Sequence, residues 1–83
     1  MLLIIRDIDS EILHEDNVFS VKIQTLNGLI EILTDHAPMV GVIDTGNITY
    51  IINEKEKSIE APRGGIFSVE NNVVTILFSL HKF

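Results

Sequence analysis

Cysteine is absent from the 83-residue chain, which excludes a disulfide framework and any thiolate metal site and leaves the redox compartment open. Basic residues are few. Six Lys and Arg stand against twelve Asp and Glu, a formal net charge of −6 at pH 7. Nucleic acids and anionic lipid surfaces attract the opposite sign, so neither is an expected partner. Long hydrophobic runs are missing as well. The longest uninterrupted apolar stretch, Met1 to Ile5, is far short of the roughly 20 residues that span a bilayer. It also lacks the basic start and long apolar middle of a signal peptide. A soluble protein without direct membrane insertion is expected, with any membrane association made through another protein. No segment carries a 3.6-residue apolar repeat over about ten positions, and there is no linker, low-complexity tract or internal repeat.

What remains is apolar and finely punctuated. Hydrophobic residues make up 46% of the chain and the mean hydropathy is +0.32. A chain of this size buries roughly 60–65% of its unfolded surface, enough for one core, so residues 1–83 read as a single domain. The apolar excess implies either an unusually apolar core or surface that meets a partner, and a share of both is expected. Turn signals recur at Asp16-Asn17, Asn27-Gly28, Asp44 to Asn47, Asn53 to Lys57, Arg63-Gly64-Gly65 and Asn71-Asn72. Between them lie short Ile-, Val-, Phe- and Thr-rich segments that favour pleated structure. Phe19, Val21 and Ile23 alternate with Ser20, Lys22 and Gln24, which predicts one inward face. Ile48, Tyr50 and Ile52 alternate less cleanly with Asn47, Thr49 and Ile51. In Val73 to Phe78 only Thr75 is polar, which predicts a strand covered on both faces. Asn71-Asn72 suits a tight hairpin, because asparagine tolerates positive φ. The predicted fold is all-β, a small two-sheet β-sandwich.

Few residues suggest chemistry. Asp35-His36 could be a general base oriented by a carboxylate, but sequence neighbours point in different directions and no motif supplies a serine or cysteine nucleophile. The alternatives are turn architecture, with Pro38 fixing φ and restricting Ala37, and partner contact. Asp7, Asp9 and Glu11 would share a face on one strand and could hold a hard cation. They lack the glycine turn and late bidentate glutamate of a calcium loop, and a solvated strand edge is the expected reading. His14, His36 and His81 have no metal-ligand spacing. Arg63-Gly64-Gly65 lacks the lysine and hydroxyl of a phosphate loop, so its glycines serve close backbone approach or positive φ at a sheet corner. The alternating Glu54-Lys55-Glu56-Lys57 reads as a solvated hairpin tip. No catalytic residue, cofactor or metal is assigned.

Two longer motifs carry a family resemblance. The first runs Gly28-Leu29-Ile30-Glu31-Ile32-Leu33-Thr34-Asp35-His36-Ala37-Pro38, with Gly46 ten residues after the histidine. The second runs from Gly64-Gly65 through Val69, Asn72, Val74, Thr75 and Leu77. In this order and spacing they resemble the amino-terminal β-sandwich domain of the epsilon subunit of F-type ATP synthase. That family has Gly-x-x-Gly-x-Leu-Pro-Gly-His-Ala-Pro and then Gly-Gly-x-x-x-Val-x-x-Asn-x-Val-Thr-x-Leu. The likeness runs from about Leu3 to Leu77. Glu31 stands where the family has its second glycine, and Thr34-Asp35 where it has Pro-Gly before the histidine. Gln24 replaces a common proline, and Ser79 and His81 replace the usual Asp and Ala.

The resemblance implies a non-catalytic rotor subunit of the central stalk, on the cytoplasmic face of a bacterial inner membrane and peripheral to it. It would pack on the gamma subunit and rest on the c-ring, coupling ion-driven rotation to ATP synthesis. The gamma-facing residues it implies are His36, Ala37, Pro38, Met39 and Val40; the ring-facing ones are Asn27, Gly28, Leu29 and Glu31. Glu31 would be placed to pair with an arginine of the ring. Most bacterial members continue into a helical hairpin that can restrain hydrolysis. A chain ending at Phe83 is too short for it, so a short form that does not autoinhibit is expected, or a truncated piece. A free-standing β-sandwich binding module for a peptide or small ligand is the alternative, and a small enzyme using Asp35 and His36 a third.

Overall fold

The computed structural model describes residues 1–80, which form nine β-strands and no helix. They are β1 (Leu2–Arg6), β2 (Glu11–Glu15), β3 (Val18–Thr25), β4 (Gly28–Leu33), β5 (Met39–Ile43), β6 (Gly46–Ile52), β7 (Lys55–Ala61), β8 (Gly65–Glu70) and β9 (Val73–Phe78). All-β structure therefore holds. The two expected sheets are halves of one hydrogen-bonded network, ordered β2-β1-β9-β8-β5-β3-β6-β7, with β4 on the other edge of β3. The halves β2-β1-β9-β8-β5 and β4-β3-β6-β7 join through a single pair, Thr25 with Ile43. The network curls there, and the two inner faces enclose the core. Only β1 and β9 run parallel; the remaining pairs are antiparallel.

Period-two alternation selects the inward residues. Leu3 and Ile5 of β1, Val21 and Ile23 of β3, Ile48, Tyr50 and Ile52 of β6, Phe67 and Val69 of β8, and Val74 and Ile76 of β9 are all buried. Removing such side chains from water stabilises the fold by about 1.5–3 kcal/mol each. The alternation of β6 is as expected, but that of β3 is not. Phe19 is 65% exposed while Ser20 is 1% exposed. The register of β3 against β6 shifts between Val18 and Ser20, a bulge that inserts one residue and changes the phase of the strand before Val21. The predicted second cover of β9 is also absent among the described residues: Val73 and Thr75 are half-buried and Leu77 is exposed.

The turns follow local chemistry. Asn71 and Asn72 close the β8–β9 hairpin at φ 51° and 63°, and Asn53 and Glu54 close β6–β7 at 52° and 63°. Both central residues at positive φ match the hairpin geometry that suits right-twisted strands. Lys55 to Lys57 then lie exposed along β7, an edge strand guarded by charge. Gly64 sits at φ 68°, and a Cβ there would strike the Ile43 carbonyl oxygen; one on Gly65 would strike that of Leu77. The pair is a corner requirement, as expected. The three carboxylates near the start do not share a strand. Asp7 to Ser10 form the β1–β2 turn, where Asp7 Oδ1 accepts from the amides of Asp9 and Ser10 at 2.8 Å each.

Candidate functional site

The turn between β4 and β5 is held by its own polar groups. Asp35 occupies φ 63°, the conformation glycine takes most readily, and its amide donates to Asn72 Oδ1 at 2.9 Å. That bond ties the turn to the β8–β9 hairpin. The His36 amide donates to the Leu33 carbonyl at 3.2 Å, and His36 Nδ1 lies 2.7 Å from the Ala37 carbonyl. Nδ1 therefore carries the proton and donates it to the turn. The imidazole is oriented by Ala37 rather than by the Asp35 carboxylate, so the acid–base pair weighed from the sequence is not assembled. Ala37 and Pro38 are exposed beyond it.

From this turn β5 enters the sheet with Val40 and Val42 on its outer side. Val40 is 79% exposed. Met39 alternates with Val40 along the strand and is exposed at its edge. Val42 pairs with Ile66 of β8, Ile66 with Leu77 of β9, and Leu77 with Arg6 of β1. This makes a straight row of outward side chains across four strands. The next row is Val40, Ser68, Thr75 and Ile4. Between them, with Ile8 from the β1–β2 turn at one end, lies an open apolar groove of about 680 Å³. Arg6, Ile8, Ile66 and Leu77 were not assigned to an interface from the sequence. The signal was available in β9, whose apolar residues on both faces ask for a second cover that the described residues do not supply.

The predicted ring-facing residues lie on the β3–β4 hairpin. Thr25 Oγ1 donates to the Gly28 carbonyl at 2.7 Å and accepts from the Asn27 amide at 3.1 Å, which shapes the tip. Leu26 and Leu29 are exposed there. Glu31 is not at the tip. It lies within β4, opposite Lys22, and is not among the residues with positive φ, so a glutamate is accommodated where the family motif has glycine. A second hollow of about 370 Å³ has Leu26 and Asn27 on one rim and Met39 and Val40 on the other. The two predicted clusters are thus neighbours across one depression.

Two titrations reflect local structure. The amides of Ser10 and then Asp9 hold the Asp7 carboxyl below its usual range. Burial, and after it the charge of Glu15, raises Tyr50 above an ordinary phenol. Among the described residues no cluster of three or more metal-ligating side chains occurs. His14 is bonded through Nδ1 to Glu11 at 2.7 Å, and His81 lies outside the described residues.

A family model described as the ATP synthase delta/epsilon chain β-sandwich domain matches residues 4–79. The chain belongs to this ATP synthase delta/epsilon family. The ATP synthase epsilon chain of Desulfitobacterium hafniense is 41% identical over 69 residues, covering 83% of this chain and 51% of its own length. That of Corynebacterium jeikeium is 39% identical over 59 residues, covering 70% and 48% respectively. The chain spans about half the length of the curated relatives it matches. A chain in the cryo-EM structure of the Euglena gracilis mitochondrial ATP synthase superposes with a TM-score of 0.86 at 24% identity, over 94% of this chain and 49% of that one. A chain of the Tetrahymena thermophila mitochondrial ATP synthase central stalk and c-ring gives 0.75 at 17% identity, over 93% and 61%. At these identities the structures establish the fold of the delta/epsilon sandwich. Within that fold, Asp35 takes the positive φ at the position where the family motif has glycine.

Proposed function

We propose that this delta/epsilon-family chain acts as a non-catalytic central-stalk subunit of an F-type ATP synthase, a single β-sandwich linking the gamma subunit to the c-ring. Its role is to transmit ion-driven rotation, on the cytoplasmic face of a bacterial inner membrane and peripheral to it. The observation that carries this reading is the uncovered row Val42–Ile66–Leu77 with Val40 beside it, in a chain whose relatives are named ATP synthase epsilon chains. A contiguous apolar patch on a small acidic protein is an interaction surface. We assign gamma contact to this face together with His36, Ala37, Pro38 and Met39 at its edge, and c-ring contact to Asn27, Gly28, Leu29 and Glu31. A sandwich suits the task, because two sheet halves packed around one core deform little under torque.

The test is association with gamma. Val40→Asp places a carboxylate on a side chain that is 79% exposed, so folding should be nearly unaffected. A partner covering it would bury an unpaired charge, and binding should weaken by about 3 kcal/mol or more. Undiminished pull-down of gamma by Val40→Asp would remove this face from the interface. The 83-residue polypeptide, added in excess to an epsilon-depleted catalytic complex, is expected to leave steady-state ATP hydrolysis uninhibited. Strong inhibition would overturn that part of the proposal.

A further inference from the structure

The apolar row ends on a cation. Of the residues lining the groove only Arg6 and Asp7 carry charge. The Asp7 carboxylate already accepts from two amides of its own turn. Arg6 uses only Nε, which donates to the Asp7 carbonyl at 3.3 Å. No described carboxylate lies within ion-pair distance of its guanidinium, and Glu11, opposite it on β2, is bonded to His14. At this end of its apolar face an acidic chain with net charge −6 thus presents a guanidinium with no ion-pair partner, beside two carboxylates, Asp7 and Glu11, that are already engaged elsewhere. Covering the face would strip water from that guanidinium. An unpaired guanidinium then costs far more than one matched by an acceptor, and its planar fork fits a carboxylate through two hydrogen bonds.

Resting on the reading of this face as the gamma-docking surface, we infer that Arg6 selects the partner by charge: the gamma segment that covers Val42, Ile66 and Leu77 carries an Asp or Glu that pairs with Arg6. The strand register fixes its position. Val42 and Arg6 are three strand spacings apart, about 14 Å, so the carboxylate lies about that far from the group seated on Val42. The competing arrangement is an Arg6 that lays its stem along the rim and keeps its head in water, contributing area without charge recognition. The two differ in salt dependence, because only a pair is screened.

The experiment measures affinity for the purified gamma subunit of the same synthase, by calorimetry, at low and high ionic strength. Arg6→Met keeps the apolar stem, Arg6→Lys keeps the charge and Arg6→Glu reverses it; urea unfolding of each checks the fold. At low salt Arg6→Met is expected to bind about 10-fold more weakly and Arg6→Glu about 100-fold, with Arg6→Lys within a few-fold of the parent. Arg6→Met should also lose the parent's salt sensitivity. If Arg6→Glu binds like the parent with the same salt response while Val40→Asp fails to bind, the charge pair is refuted and the docking face stands. If the parent itself does not bind gamma, or Val40→Asp binds normally, the docking reading falls and this inference with it.

Discussion

Replacing Gly65 by alanine isolates close backbone approach from backbone strain. Gly65 is not among the residues at positive φ, so a side chain meets no conformational objection there. Its difficulty is steric: an added Cβ would collide with the carbonyl oxygen of Leu77, on the neighbouring strand β9. That oxygen belongs to a backbone, not to the end of a side chain that could rotate away. Gly65 pairs with Phe78 on one side and Ile43 on the other, so moving β8 off β9 loosens the corner where β8 is held between two strands. Overpacking costs about 1–3 kcal/mol, and two weakened ladder hydrogen bonds add about 1 kcal/mol each. The expected loss is therefore about 3–5 kcal/mol. An 83-residue domain has about 4–12 kcal/mol in total, so the variant should lose about a quarter of its stability at the least and unfold at the low end of that range. Urea unfolding followed by far-UV circular dichroism is the assay, with Ser68→Ala on the same strand as a control expected to cost less than about 1 kcal/mol. Gly64→Ala should cost at least as much, since it adds positive φ to a collision with the Ile43 carbonyl. A Gly65→Ala protein within about 1 kcal/mol of the parent would refute the close-approach account.

Glu54 closes its hairpin at φ 63°, so Glu54→Gly should stabilise the fold by about 0.5–1 kcal/mol, read as a higher thermal midpoint. Phe19→Ser should change unfolding free energy by less than about 1 kcal/mol, because the bulge leaves that ring exposed, whereas Ile23→Ala should cost about 2–5 kcal/mol. Tyr50 is the only tyrosine, and ultraviolet titration should find its phenol ionising above the ordinary range until urea unfolds the chain. A phenol raised in the folded state contributes stability that is intact below the unfolded pKa and is lost as pH rises through the folded one, so unfolding should become easier on the alkaline side.

Much of the architecture was legible because its causes are local. Asn71-Asn72 specified a tight hairpin through its own backbone preferences, Gly64-Gly65 a corner, and the alternation of Ile48, Tyr50 and Ile52 an inward face. The family motif was likewise readable, since Asp35 could replace glycine at positive φ without erasing the pattern around it. The phase of β3 before Val21 was not readable. A bulge depends on how the opposing strand pairs, and β6 lies some 30 residues downstream, so Phe19 looked internal and Ser20 external.

The candidate site divides in the same way. Sequence alone determined that this is a cysteine-free, acidic, all-β chain, because composition and period-two alternation survive any arrangement of the strands; its family resemblance rested on the two motifs around His36 and after Gly64. Only the tertiary structure decided that β1, β9, β8 and β5 lie side by side in register, which lines up Arg6, Leu77, Ile66 and Val42 from four distant parts of the chain. It also set Glu31 opposite Lys22, within a strand rather than in a loop. Each of those relations is a pairing between strands, and pairing is set by the long-range packing of the two inner faces around the core, which no local stretch of sequence encodes.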